Sequence, residues 1–174
     1  MKQIYILALM TAVLLGGCQQ ACDRDEELNN IQILLEKHVI ANETKNIDLI
    51  KEIWASKEDI VIFGTDSDEK LEGWTQIRNT FLKQFETFEE AYLSVSDQKI
   101  NLDCDGNTAW FSQIMSYNYT TTEGEAKHFE GMRFTGVLEK IDDKWQIVQS
   151  HMSIPYDSME KSKYASPTQN DKAK

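Results

Sequence analysis

Trp145-Gln146-Ile147-Val148-Gln149-Ser150-His151-Met152-Ser153-Ile154-Pro155 is the stretch whose reading decides the fold. It reads as one strand, carried by Trp145, Ile147, Val148 and Ile154. Pro155 has no N–H for a ladder and ends it. Asp142-Asp143 precedes it as a turn, and the pattern repeats upstream. His128 to Ile141, Thr108 to Thr122 and Tyr92 to Leu102 are extended stretches, separated by Glu123-Gly124-Glu125 and by Asp103-Cys104-Asp105-Gly106-Asn107. Four successive strands joined by short turns predict an antiparallel sheet. Strands this long exceed the usual ~5–6 residues. They must bend, and a bent sheet wraps a cavity.

The chain before Tyr92 has a helical period instead. Leu28, Ile31, Leu35 and His38 predict a helix over about 26–44. Ile47, Ile50 and Trp54 predict a second, shorter helix after a turn near Lys45-Asn46. The apolar run Asp59-Ile60-Val61-Ile62-Phe63-Gly64 predicts a short buried strand, and an acidic loop follows it. Trp74, Ile77, Phe81, Phe85 and Phe88 share one face of a third helix. The expected class is therefore α+β: a cone-shaped, curved antiparallel sheet covered by about three N-terminal helices.

Composition narrows the partners. The net charge of −11 repels phosphate backbones, so no nucleic-acid partner is expected. No phosphate loop, nucleophile elbow or CxxC pair is present. The acidic residues Asp66, Asp68, Glu69 and Glu72 lack a calcium-loop pattern because Lys70 and Leu71 interrupt it. No metal and no cofactor are expected. Three cysteines do not make a disulfide framework. A Cys22–Cys104 bridge is chemically possible, but two unpaired thiols are the expectation.

The first residues carry a different signal. Lys2 is followed by an apolar run from Ile4 to Leu15, and then by Leu15-Gly16-Gly17-Cys18. The run is too short for a spanning helix, which needs ~20 apolar residues. The string resembles a bacterial lipobox. That resemblance implies removal of 1–17, acylation of Cys18 with palmitate-type chains, and a lipoprotein held at the membrane of the cell envelope. Gln19 is not the aspartate that retains many such proteins at the inner membrane, so the outer membrane is favoured in a Gram-negative host. The expected plan is a signal peptide 1–17, a lipidated tether 18–26, one domain 27–155, and a polar tail 156–174 without fixed structure.

Three further groups of residues point to a family. They are Ile60-Val61-Ile62-Phe63-Gly64-Thr65-Asp66 with Leu71-Glu72-Gly73-Trp74 and Ile77-Arg78, then Arg133-Phe134-Thr135-Gly136-Val137-Leu138, and the closing stretch quoted above. Together they resemble SnoaL-like domains, over about Leu28 to Pro155. The resemblance implies the nuclear transport factor 2-like superfold, a cone with a pocket at its wide end. That superfold hosts ketosteroid isomerases, dehydratases, polyketide cyclases and non-enzymatic assembly domains, so fold alone does not assign the function. The isomerase constellation of an aspartate base with tyrosine and aspartate donors is not matched by Asp97, Asp103, Tyr117 and Tyr119 residue by residue. No dyad of histidines on facing strands is evident.

Alternation along the last strand places Trp145, Ile147, Gln149, His151 and Ser153 on one face. If that face looks into the cone, His151 reaches the cavity as a candidate acid or base. Arg133 shares a face with Thr135 and Val137 and could hold a ligand carboxylate or an acidic side chain. The expected pocket is bounded by Trp54, Phe63, Phe81 and Phe85, with polar contacts from Arg133, Gln149 and His151. It would suit a small apolar or amphipathic ligand with a carboxylate or phenolate head. His38, on the apolar face of the first helix, reads as a satisfied core or rim histidine rather than a ligand. Trp110 and Ile114 on one face of the Thr108 strand, against Phe111, Met115 and Tyr117 on the other, predict a homodimer packed sheet to sheet. The last strand repeats the split, with Ile147 on one face and Val148, Met152 and Ile154 on the other. Three readings stay open: a binding module, an enzyme using His151 for proton transfer, and an assembly domain.

Overall fold

A computed structural model describes residues 23–66 and 68–155. The remaining residues lie outside this description, and with them the expected anchor at Cys18, the tether up to Cys22, and the tail from Tyr156. Helix α1 is Arg24–Glu43, α2 is Ile47–Ile53 and α3 is Gly73–Phe85. The strands are β1 (Val61–Phe63), β2 (Lys70–Glu72), β3 (Phe88–Leu102), β4 (Thr108–Thr121), β5 (Ala126–Ile141) and β6 (Lys144–Ser153).

Local chemistry sets these bounds. The Asp23 carboxylate accepts from Glu26 N–H at 3.2 Å, and Asp25, Glu26 and Glu27 follow in the first turn, where the helix dipole favours negative charge. Asn46 caps α2 in the same way, accepting from Leu49 N–H at 2.9 Å. Helix α3 ends at Phe85, short of the expected Phe88, because Thr87 Oγ1 donates to the Gln84 carbonyl at 2.7 Å and closes the last turn. Phe88 instead opens β3. The β5–β6 hairpin turns on Asp142 and Asp143, both at positive φ, as a two-residue turn requires.

The sheet runs β2-β1-β6-β5-β4-β3. Its four long strands are antiparallel, as expected. Two features differ. β1 pairs with β6 in parallel, which its long connection through α3 and the other strands permits. β2 forms within the segment read as a solvated loop and pairs antiparallel with β1. The sheet is therefore mixed.

One irregularity governs which residues face where. Across β5 and β6, Leu138 stands opposite Ile147 and Val137 opposite Gln149, so Val148 is an extra residue in β6. This β-bulge resets the alternation. Trp145 and Ile147 face the helices, but so do Ser150 and Met152, opposite Gly136 and Phe134. Gln149 and His151 turn to the open face. The expected grouping of Val148, Met152 and Ile154 against Ile147 is corrected accordingly: Met152 shares the side of Ile147.

The core lies between the helices and one face of the sheet. Ile31, Leu35, Ile77, Phe134, Leu138 and Ile147 are fully buried there. Gly136 allows close packing, since a Cβ on it would meet the Phe111 ring and the Gln149 carbonyl at 2.6 Å. The start of α1 is pinned to the sheet by Glu27, which accepts from Lys140 Nζ at 2.5 Å and Trp145 Nε1 at 2.6 Å. Arg24 adds a bond to the Leu102 carbonyl at 3.2 Å.

Candidate functional site

The helix-facing interior is apolar and aromatic, with a few buried polar groups. Trp54, Phe81, Phe85, Phe88 and Tyr117 form a continuous chain of rings, each 6.1–6.3 Å from the next. His38 stacks on Phe134 at 5.0 Å, and Phe111 meets the same ring edge-on at 5.0 Å. Gln113 is the cross-strand partner of Phe134 and is 3% exposed.

Among the described residues, four buried polar side-chain atoms have no hydrogen-bond partner: His38 Nδ1, Trp54 Nε1, Gln113 Nε2 and the Tyr117 hydroxyl. Leaving a buried polar group unpaired costs about 1–3 kcal/mol, so native interiors seldom carry several without something to meet them. Two of them have a local reason to be left over. Asn42 Nδ2 donates to the His38 carbonyl at 2.8 Å and stands 3.5 Å from His38 Nε2. With Nε2 as the acceptor, the ring proton sits on Nδ1, which points at nothing. Gln113 Oε1 accepts from Gln98 Nε2 at 2.8 Å, which leaves the Gln113 amide nitrogen over.

Burial also sets the protonation states. It pushes the His38 imidazole down to about 4, so the ring is neutral near pH 7. It pushes the Tyr117 phenol up to about 12; the nearby Gln84 side chain lowers it in part and Tyr119 adds to the rise. Burial would raise the Glu27 carboxyl, but the bonds from Lys140 and Trp145 outweigh that and hold it below its ordinary value.

The expected pocket residues divide between the two faces of the sheet. Trp54, Phe81 and Phe85 come together in the interior. Phe63 does not: it is 42% exposed on the other side, edge-on to His151 at 6.3 Å. Phe63, Gln149 and His151 border a shallow groove of about 550 Å³ with Gly64, Asp66, Asp68, Glu69 and Lys70. Arg133 is exposed opposite Ser153, one step from the Thr135–His151 pair. Arg133 and His151 are thus neighbours, but outside the cone. The Val148 bulge explains His151 and Gln149. Arg133 sits outside because Phe134, not its flanking residues, is buried.

Sequence reasoning passed over Gln113. Its signal was present, since it stands between Phe111 and Met115 on the apolar parity of β4. Among the described residues, no group of three His, Cys, Asp or Glu side chains could hold a metal ion, and no helix is long and apolar enough to cross a membrane. Cys104 is exposed in the β3–β4 turn.

Comparisons with known proteins follow the same geometry. A family model described as a SnoaL-like domain matches residues 31–157. None of the curated proteins matches this chain. Among solved structures, a nuclear transport factor 2-like superfamily protein from Salmonella enterica serovar Typhimurium is similar, with a TM-score of 0.69 at 18% identity over 86% of this chain and 99% of that one. A Xanthomonas campestris protein provisionally described as a calcium/calmodulin-dependent protein kinase II association domain gives 0.63 at 24% identity, covering 73% and 86%. A Novosphingobium aromaticivorans protein provisionally described as a scytalone dehydratase gives 0.65 at 12%, covering 74% and 84%. At these identities the likeness is one of fold.

Proposed function

This chain belongs to the SnoaL-like domain family, and on that premise we propose that it is a binding module whose interior takes a small, mostly apolar molecule. The observation that carries this reading is the set of four unpaired buried polar atoms within an aromatic interior. An apolar pocket with a few convergent polar groups is the usual form of a small-molecule site. The enzyme reading through His151 has less support, because that side chain lies on the open face and an interior ligand would not meet it.

Titration of the purified full-length protein with the apolar fluorophore N-phenyl-1-naphthylamine tests the reading, with the methionine methyls followed by NMR. Saturable binding that shifts the interior Met115 and Met132 methyls is expected. Binding that leaves both unmoved, or no saturable binding, overturns it.

Two further proposals complete the reading. A second copy of this chain packs on the open face of the sheet. Trp110 is 48% exposed there, opposite Val137 and with Ile114 further along the same face of β4, and such a patch usually marks an interface. Sedimentation at micromolar concentration should show a dimer for the wild type and a monomer for Trp110→Glu. The other proposal is that Cys18 carries the lipid that holds the domain at the cell envelope. Radioactive palmitate should label the wild type and not Cys18→Ala.

A further inference from the structure

We infer that the polar head of the interior ligand is an uncharged hydrogen-bond acceptor, a ketone, ester or amide carbonyl, held by His38 Nδ1 and Gln113 Nε2 beside the Phe134 ring. This rests on the binding reading above and goes further by naming the chemistry of the head.

The first argument is the character of the unpaired atoms. The indole N–H of Trp54 and the amide N–H of Gln113 can only donate, and His38 Nδ1 donates in the tautomer that Asn42 favours. The Tyr117 hydroxyl can also donate. No buried side-chain oxygen of a carboxylate or amide is left unpaired among the described residues. A site made of donors calls for an acceptor. An alcohol would fit less well than a carbonyl, because its own hydrogen would arrive without a partner.

The second argument is charge. Among the described residues the buried polar ones are His38, Asn42, Gln113 and Ser150, none of them a fixed cation. Arg133 is on the open face. Lys140 is bound to Glu27 and Lys45 to the Phe88 carbonyl, over whose ring it lies at 4.7 Å. Burial keeps His38 neutral. A carboxylate brought beside it would be a buried charge without a counter-charge, which is costly. The carboxylate or phenolate head expected from Arg133 and His151 therefore does not suit this interior.

The third argument is geometry. His38 and Gln113 are tied to one ring, the first stacked on Phe134 and the second beside it across the β4–β5 ladder. α1 and β4 thus each bring one donor-bearing side chain to the same ring. Both side chains are held by a bond at their other polar atom, Asn42 for one and Gln98 for the other.

Four probes of nearly one shape decide the matter: acetophenone, 1-phenylethanol, benzoate and ethylbenzene. Each is titrated into the full-length protein at pH 7.5, with the ¹⁵N resonances of His38 and the Gln113 amide as readouts. Acetophenone should bind about tenfold more tightly than ethylbenzene, the worth of one to two hydrogen bonds. It should also move both ¹⁵N signals, with 1-phenylethanol between the two and benzoate weakest. His38→Phe, which keeps the stack on Phe134, should remove the advantage of acetophenone over ethylbenzene. If ethylbenzene binds as well as acetophenone, the interior binds ligands but the donors do not select them, and only this inference falls. Tighter binding by benzoate overturns it in favour of an anionic head. Failure of all four to bind inside overturns it together with the reading beneath it.

Discussion

The two faces of this sheet use the same strands for opposite ends. On the helix side, Phe134 and Ile147 are sealed, and the few polar groups are neutral and partly unpaired. On the open side stand Arg133, Thr135, Gln149 and His151, with Trp110 and Phe63 among them, all exposed. Adjacent residues of one strand thus differ completely in what they cost and what they can do. Phe134 and Thr135 are one peptide apart, yet only one is core. A residue's chemistry here follows from the face it takes, and that face is decided by the ladder.

The sharpest test of the contrast is this adjacent pair. Phe134 touches both His38 and Phe111. Phe134→Ala should destabilise the domain by about 3–5 kcal/mol through lost burial and a cavity. Thr135→Ala, on the exposed side, should cost less than about 0.5 kcal/mol in monomer stability. Urea denaturation of the two variants measures both. Similar costs would break the division between the faces.

Acid should weaken the fold through the interior histidine. His38 has a folded pKa of about 4 against an ordinary 6.5. Above 6.5 neither state binds the proton and there is no penalty. As pH falls from 6.5 to 4, the unfolded chain takes up a proton that the folded chain refuses. Stability then drops, by about 3 kcal/mol in all, and levels off below 4. His38→Phe should lack this component. Unfolding free energies at several pH values between 7.5 and 4.5 would show it as a shallower slope. Equal slopes for the two proteins would place His38 in contact with solvent.

Much of this architecture was legible in the sequence, and for physical reasons. Turn residues such as Asp142-Asp143 bias the backbone locally, so the four long strands could be delimited. The apolar period of α1 and α3 reports burial directly, so the helices could be placed and Trp54, Phe81 and Phe85 assigned to the interior. What was not legible depends on pairing between distant strands. Nothing in Ile147-Val148-Gln149 says which residue will be the extra one, because that is fixed by the length of β5 opposite. The parallel entry of β1 beside β6 is likewise a matter of partners. His38 was expected to be a satisfied core or rim histidine, and it is a core one with one ring nitrogen unsatisfied. That one of its nitrogens would be left without a partner depends on Asn42 and on the interior around it.

A smaller effect tests how the interior is closed at its edge. Glu27 joins α1 to Lys140 and Trp145 at the β5–β6 hairpin. Glu27→Gln keeps the shape but removes the charge that the ammonium faces. A loss of about 1–2 kcal/mol is expected at pH 7. Because the Glu27 carboxyl is held below its ordinary value, its contribution is present above that value and fades as pH falls through the lowered one. Wild type and Glu27→Gln should therefore converge in stability in acid, as pH falls from the ordinary carboxyl value through the lowered one. A gap that persists there would mean that the bonds, not the charge, carry the effect.

The mildest change addresses the bulge itself. With Val148 present, Ile147 faces the helices, Gln149 the solvent, Ser150 the helices and His151 the solvent. Removing Val148 leaves Ile147, Gln149, Ser150 and His151 in strict alternation, with each on the face it already occupies. The deletion should therefore straighten β6 without exchanging its faces. Its cost is the contact that half-buried Val148 makes with the core, about 1 kcal/mol. Cysteine labelling can read the faces in a background without Cys18, Cys22 and Cys104. A thiol at 151 should react with maleimide quickly, and one at 150, where Ser150 is 2% exposed, should stay protected, with and without Val148. If the deletion instead protects 151 and exposes 150, the ladder has slipped by one residue. Neither the turn at Asp142-Asp143 nor the burial of Ile147 and Met152 would then suffice to fix the faces.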